Sequence, residues 1–310
     1  VHTAYYLLHS INVATDFGDI ESAMAKGFAE SAARQRVQQI IYLGGIANDE
    51  NRSRHLTSRM NTGTQLASTS VPVLELRAGI IIGSGSASFE MLRHLTHRLP
   101  IMTTPKWVSN RTQPIAIRDV LYYLRNAANL KEPINRICDI GGPEVVSYAS
   151  MMQKFSKISG LRKRIIIQVP VLTPKLSSLW IGFVTPVPTS LARPLVESLI
   201  SEVVVDPRKA ITDLIPPPAE GLLTVSQAIE LALTRVAENH VDTRWSDASY
   251  PIAPWQKAQS DPDWAGELTL KDHREITTDV SAAKIWEQIE GIGGARGWFG
   301  SDWLWYLRGL

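Results

Sequence analysis

Short apolar runs that do not alternate with polar residues recur along the first 240 residues, and helical stretches separate them. Ala4–His9 reads as a strand. Asp19–Arg36 reads as a helix with Phe28, Ala29, Ala32 and Ala33 on one face. Val37–Leu43 is the next apolar run, closed by Gly44-Gly45, and Arg54–Ser68 suits a helix. Val73–Ile82 follows as a strand, Ser86 can cap a helix reaching about Leu99, and Ile115–Ala127 holds a short strand and a helix. Arg136–Ile140 is a further strand, and the helix Tyr148–Ser159 stops at Gly160. Strands that are apolar on both faces must be covered on both faces, so the expected fold is α/β, a doubly wound parallel sheet, over residues 1–240.

Charge and aromatic content then divide the chain. Lys and Arg number 32 against 30 Asp and Glu, a net charge of +2, but residues 241–310 alone hold 7 basic and 11 acidic side chains. Seven of the nine tryptophans also fall there. Such a joint shift predicts a domain boundary, with 241–266, rich in Pro, Ser, Asp and Trp, as the linker. The near-neutral total gives no electrostatic case for nucleic acid. A single cysteine, Cys138, can form neither an internal disulfide nor a zinc cage, so a reducing, cytoplasmic setting is expected. The most apolar stretch, 165–200, contains Lys175, Arg193 and prolines at 170, 174, 186, 188 and 194, which leaves no 20-residue apolar helix and so no transmembrane segment. The chain opens at Val1 directly into an apolar run and closes on Trp303-Leu304-Trp305-Tyr306; both ends suggest an internal piece of a longer protein.

A dinucleotide needs a glycine turn between a strand and a helix, where backbone N–H groups meet the pyrophosphate. Gly294-Ala-Arg-Gly297-Trp-Phe-Gly300 follows a helix, Ala282–Ile289, rather than a strand, and reads as a turn. Gly83-Ser84-Gly85 lies between a strand and a helix but lacks the third glycine. The phosphate-binding loop is therefore expected to be absent from these 310 residues.

Five ordered blocks carry a resemblance. Tyr5-Tyr6-Leu7-Leu8-His9-Ser10, Ile40-Ile41-Tyr42-Leu43-Gly44-Gly45, Glu75-Leu76-Arg77-Ala78-Gly79-Ile80-Ile81-Ile82-Gly83, Gln113-Pro114-Ile115-Ala116-Ile117-Arg118-Asp119-Val120 and Asp139-Ile140-Gly141-Gly142-Pro143-Glu144 together resemble the extended and atypical short-chain dehydrogenase/reductases, with their epimerase-like and NmrA-like members. The resemblance covers about residues 1–240. It implies a Rossmann-type sheet in which Ala4–Ser10 is the fourth strand and the N-terminal strands lie upstream, with NAD(P) as cofactor. Residues 267–310 resemble the opening of a START-like helix-grip domain, an α+β fold around an apolar cavity.

In that family a tyrosine and a lysine four residues on handle the substrate proton and the nicotinamide ribose, and a strand-end serine orients the carbonyl. Here the serine position falls on Gly44 or Gly45, and the tyrosine–lysine pair falls on His55 and Arg59. His55 could move a proton at neutral pH and Arg59 could hold ribose hydroxyls; alternatively both are solvated residues at a helix start. The resemblance places His9, Ser10, Gly44, Gly45, Arg59, Ala78, Gly79 and Ile80 along the cofactor. Arg77 meets a phosphate or pairs with Glu75 or Asp119. His94 and His97, three apart on a helix, have a metal-sharing spacing but no evident acidic partner, so no metal is expected. The apolar segment 169–194 suggests a small apolar ligand rather than a nucleotide sugar. Three functions remain open: an NAD(P)-binding oxidoreductase on a lipophilic substrate, a non-catalytic dinucleotide sensor or scaffold, and a nucleotide-sugar epimerase or dehydratase.

Overall fold

The computed structural model describes residues 2–8, 17–47, 53–169, 196–198, 200–237 and 275–291, with single positions 297, 300 and 303. The chain divides into two compact units, Val1–Pro251 and Ile252–Leu310. In the first, the elements run β1 (Thr3–Tyr6), α1 (Phe17–Arg34), β2 (Gln39–Gly45), α2 (Arg54–Leu66), β3 (Val73–Ala78), β4 (Ile81–Ile82), α3 (Ala87–Arg98) and β5 (Ile101–Thr104). They continue β6 (Arg111–Thr112), β7 (Ile115–Ala116), α4 (Ile117–Ala127), β8 (Arg136–Ile140), β9 (Val146–Ser147), α5 (Tyr148–Ile158), β10 (Ile165–Gln168) and α6 (Val225–Ala237).

The main sheet is parallel, in the order β1-β2-β3-β8. Its residues divide cleanly between two faces. Ile40, Tyr42 and Val73 pack with Tyr6, Ala25, Ala32 and Leu66 beneath α1 and α2, whereas Ile41, Leu74, Leu76, Ala78, Cys138 and Ile140 pack with Val120, Tyr123 and Ala127 of α4 on the opposite face. Burial on both sides explains the unbroken apolar runs in these strands. The expected doubly wound α/β architecture is present.

Polar side chains fix the ends of the sheet. Buried Gln39 donates from Nε2 to the carbonyls of Ile40, Pro72 and Ile134 and accepts from the Ile134 N–H at 2.6 Å, tying three connections together at the start of the strands. Helix α1 ends with Val37 N–H bonded to the Ala32 carbonyl and Arg36 N–H to Ala33, a Schellman closure that holds Arg36 at φ 53°.

A second core joins α3, α5 and α6 through Phe89, Leu92, Leu95, Met151, Met152, Phe155, Ala228 and Ile229. Glu144 links two of these helices: its Oε1 accepts from Lys154 Nζ at 2.9 Å on α5 and its Oε2 from the Val225 N–H at 2.6 Å, the first residue of α6. The lysine bond, and the Val225 N–H, hold its carboxyl below the usual range against the opposing effect of burial.

Two expectations are corrected here. Val73–Ile82 is not one strand: the sheet strand stops at Ala78, and Ile81–Ile82 pairs instead with Ile115–Ala116. The break falls at Gly79, where a Cβ would stand 2.9 Å from Val203 Cγ1, so the returning chain occupies the position a side chain would take. Ser86 does precede α3, but its hydroxyl donates back to the Ile81 carbonyl at 2.9 Å instead of capping the helix.

Cys138 is fully buried in the strand facing α4. Burial pushes its thiol up to about 11. At pH 8 roughly one molecule in a thousand would carry the thiolate. The native protein is therefore expected to leave a chromogenic disulfide reagent unreacted over minutes and to release one equivalent of chromophore in denaturant; prompt reaction of the native protein would show that the α4 face opens.

In the second unit, α7 (Ala282–Glu290) ends at Gly291, and its Trp286 and Ile289 are exposed. Most of the stretch resembling a helix-grip opening, and five of the seven residues Gly294–Gly300, lie outside the described residues, as does most of 165–200. Among the described residues no helix is long and apolar enough to cross a membrane, and no group of three or more metal-ligating side chains occurs.

Candidate functional site

In a parallel α/β sheet, ligands sit beyond the carboxyl ends of the strands, where the chain leaves each strand for its helix. The carboxyl ends of β2 and β3 open on a cavity of about 180 Å³, lined by Gly44, Gly45, Ala78, Gly79 and Ile80, together with His55 and Arg59 from α2. Seven of the nine residues predicted from the sequence thus surround one space. His9 and Ser10 lie outside the described residues.

Local sequence explains how α2 reaches this cavity. Ser53 is the N-cap, its Oγ accepting from the Leu56 N–H at 3.2 Å, and this fixes the first turn that carries His55. One turn on, Arg59 is anchored: Nη2 donates to the Leu43 carbonyl, and its guanidinium carbon lies 5.4 Å from the centre of the Tyr42 ring. Tyr42 in turn donates its hydroxyl to the Arg59 carbonyl at 2.9 Å. Burial pushes the Tyr42 phenol up to about 12, so this tyrosine is a strut between strand and helix and supplies no proton at neutral pH.

A side chain at the strand end would press on its neighbours. A Cβ on Gly44 would come 2.8 Å from Glu75 Oε1, and one on Gly45 would come 3.2 Å from Leu56 Cδ2. Hydroxyls reach the same cavity from elsewhere. Ser88 comes from the first turn of α3, and Ser198 from a part of the chain 145 residues beyond Ser53, with whose Oγ it shares a 3.2 Å hydrogen bond. Neither serine was found from the sequence, because no local spacing relates them to His55 and only the chain path brings them there. Apolar Leu43, Ile46, Leu56, Ile81 and Val203 complete the lining.

The other candidates resolve as structural. Arg77 pairs with Glu75, Nε to Oε1 at 2.7 Å, with both side chains buried. The carboxylate of Glu75 fits against Gly63 of α2, where a Cβ would be 2.5 Å from Oε2. A wider trough of about 870 Å³ runs over this pair between α2 and β8 and reaches the amino ends of β3 and β8. Asp119 is fully buried, accepting from Arg118 Nε at 2.8 Å and from the Leu223 N–H at 2.8 Å. His94 does have an acidic neighbour, Glu90 at 3.3 Å, but Arg93 donates to the same carboxylate at 2.6 Å and lies 3.0 Å from His94 Nε2, leaving a cation where a metal would stand. Although burial pushes the Glu90 carboxyl up, bonds from His94 and Arg93 bring it below the usual range. The Gly83–Gly85 turn closes on a Ser86 N–H bond to the Gly83 carbonyl at 3.1 Å, with Gly85 at φ 82°, as an ordinary strand-to-helix turn does.

No protein-family model and no curated protein matches the chain. Solved structures do. Triphenylmethane reductase of Citrobacter, complexed with NADP(H), is 13% identical, with 75% of this chain and 77% of that chain covered at a TM-score of 0.57. The NAD-dependent NDP-hexosamine 5,6-dehydratase TunA of tunicamycin biosynthesis is 15% identical over 78% and 79% of the two chains, with a TM-score of 0.56. UDP-glucuronic acid 4-epimerase from Bacillus cereus, in complex with NAD, is 12% identical over 77% and 76%, with a TM-score of 0.55. The chain has the Rossmann-type α/β fold of these reductase, dehydratase and epimerase structures.

Proposed function

We propose that this protein is an NAD(P)-binding member of the atypical short-chain dehydrogenase/reductase group and acts as an oxidoreductase on a small apolar ligand. The observation that carries the reading is the convergence of Gly44, Gly45, Ala78, Gly79 and Ile80 with His55 and Arg59 around one cavity at the strand ends. At about 180 Å³ the cavity is smaller than the roughly 300–1,000 Å³ that encloses a whole drug-sized ligand. It suits one ring at the end of an elongated molecule, which fits the nicotinamide. The bound cofactor would supply hydride chemistry. The chain's own residues do the rest: His55 exchanges a proton with the substrate oxygen, and Arg59, anchored on Leu43 and Tyr42, holds a fixed positive charge at the cavity wall. Ser88 and Ser198 offer the hydroxyls that the strand end lacks. The apolar remainder of the lining favours a lipophilic substrate over a diphosphate, which would call for several arginines. The division of labour extends to the domains, with residues 1–240 as the cofactor and substrate unit, 241–266 as linker and 267–310 as the start of a START-like ligand carrier.

The runner-up is a non-catalytic dinucleotide sensor, in which cofactor shifts an equilibrium and is not consumed. It draws support from Gly44, which stands at the family's serine position without a hydroxyl and where a Cβ would press on the Glu75 carboxylate. Because no three-glycine turn lies between a strand and a helix among the described residues, NADPH titrated against the chain and followed by fluorescence is expected to bind more weakly than micromolar. With a lipophilic ketone and saturating NADPH, His55→Ala is expected to cut cofactor oxidation about 100-fold while affinity changes less than about twofold. Unchanged oxidation in the variant would end the catalytic role of His55; no oxidation with any such ketone by a parent protein shown by fluorescence to be saturated with NADPH would favour the sensor.

A further inference from the structure

Outside the cavity, one surface combines features that the reductase reading does not use. Strands β5 and β10 form a separate two-stranded parallel sheet, with Ile165 opposite Ile101 and Ile167 opposite Thr103. Met102 turns inward to the second core, while Ile101, Ile165 and Ile167 remain 57%, 55% and 48% exposed on one outward face. Three half-exposed isoleucines on so small a sheet are a concentrated apolar patch. Because the pairing is parallel, the two segments that lead into these strands arrive side by side, and both are basic: His97-Arg98 precedes β5, and Arg162-Lys163 precedes β10. Arg162 and Lys163 are exposed, while Arg164 turns in to bond the Thr96 carbonyl at 2.7 Å. Residues 87–112 and 144–169 carry nine Lys and Arg against two Glu, with Arg93 and Lys154 paired to those two carboxylates and Arg164 buried.

We propose that this face docks on an anionic lipid bilayer, with the isoleucines entering the interfacial layer and Arg162 and Lys163 meeting lipid phosphates. Charge complementarity selects this occupant. A second copy of the chain would bring two basic faces together, and nucleic acid would gain nothing from isoleucine side chains, whereas an acidic membrane surface rewards both components at once. Docking of this kind would present the protein to lipophilic molecules where they concentrate, but it does not depend on the reductase reading.

The test is sedimentation of the full 310-residue chain with phosphatidylcholine vesicles, with and without phosphatidylserine, at physiological salt. The parent protein is expected to sediment with the anionic vesicles and to stay in solution with the neutral ones. Ile165→Glu/Ile167→Glu and Arg162→Glu/Lys163→Glu, both confined to exposed positions and checked for unchanged circular dichroism, are each expected to weaken binding at least about tenfold. Absence of binding to anionic vesicles, or binding that persists in either variant, overturns the proposal. So does binding to an RNA oligonucleotide at comparable affinity that the isoleucine variant leaves intact.

Discussion

Arg77→Leu is expected to cost about 3–5 kcal/mol of folding free energy, read as a lowered urea midpoint with an unchanged slope. Arg77 and Glu75 sit on the face of β3 under α2, with side chains 9% and 6% exposed and a 2.7 Å bond between them. Removing the guanidinium strands a buried carboxylate that has lost its only ion-pair partner among the described residues. Gly63 lies in the last turn of α2, and a Cβ there would press on the Glu75 carboxylate. The pair itself need not be stabilising, since two charges left water to form it. Glu75→Leu combined with Arg77→Leu is accordingly expected to recover most of the loss. If the double variant is as unstable as the single one, the pair holds the fold through shape rather than charge.

Asp119→Ala is expected to destabilise by about 2–4 kcal/mol and to loosen α6 selectively. The carboxylate is fully buried at the start of α4, and it accepts from the Leu223 N–H two residues before α6 begins. Arg118 completes the arrangement, donating from Nε to Asp119 and from Nη2 to the Gly221 carbonyl at 2.8 Å. Without the carboxylate, a part-buried N–H at the entry to α6 loses its acceptor. Amide exchange should then accelerate across 223–237 well before it does in β2 or β3; uniform acceleration through the molecule would show that Asp119 supports the whole fold and not this one attachment.

The parallel sheet was legible in the sequence because strands buried on both faces leave a pattern that needs no tertiary information. Ile40-Ile41-Tyr42-Leu43 reads as a covered strand whichever helix covers it, and β2 and β3 are such strands. The small sheets left no such trace. Ile101–Thr104 and Ile165–Gln168 are four residues each, and what makes them strands is mutual pairing across more than 60 residues of chain. The single run Val73–Ile82 splits for the same kind of reason: Val203, distant in sequence, fills the space beside Gly79.

The site divides along similar lines. Strand-end glycines and a helix-borne histidine and arginine four apart are local features, so Gly44, Gly45, His55 and Arg59 could be named from the order of residues, with the resemblance supplying their roles. That they face one cavity, that Ser88 and Ser198 join them, and that Tyr42 is a strut and not an acid were decided by tertiary structure. Sequence fixes period and chemistry within a few turns of chain. Whether a hydroxyl reaches a histidine depends on how loops over a hundred residues apart return to the same strand ends, and on which positions packing leaves open for a side chain.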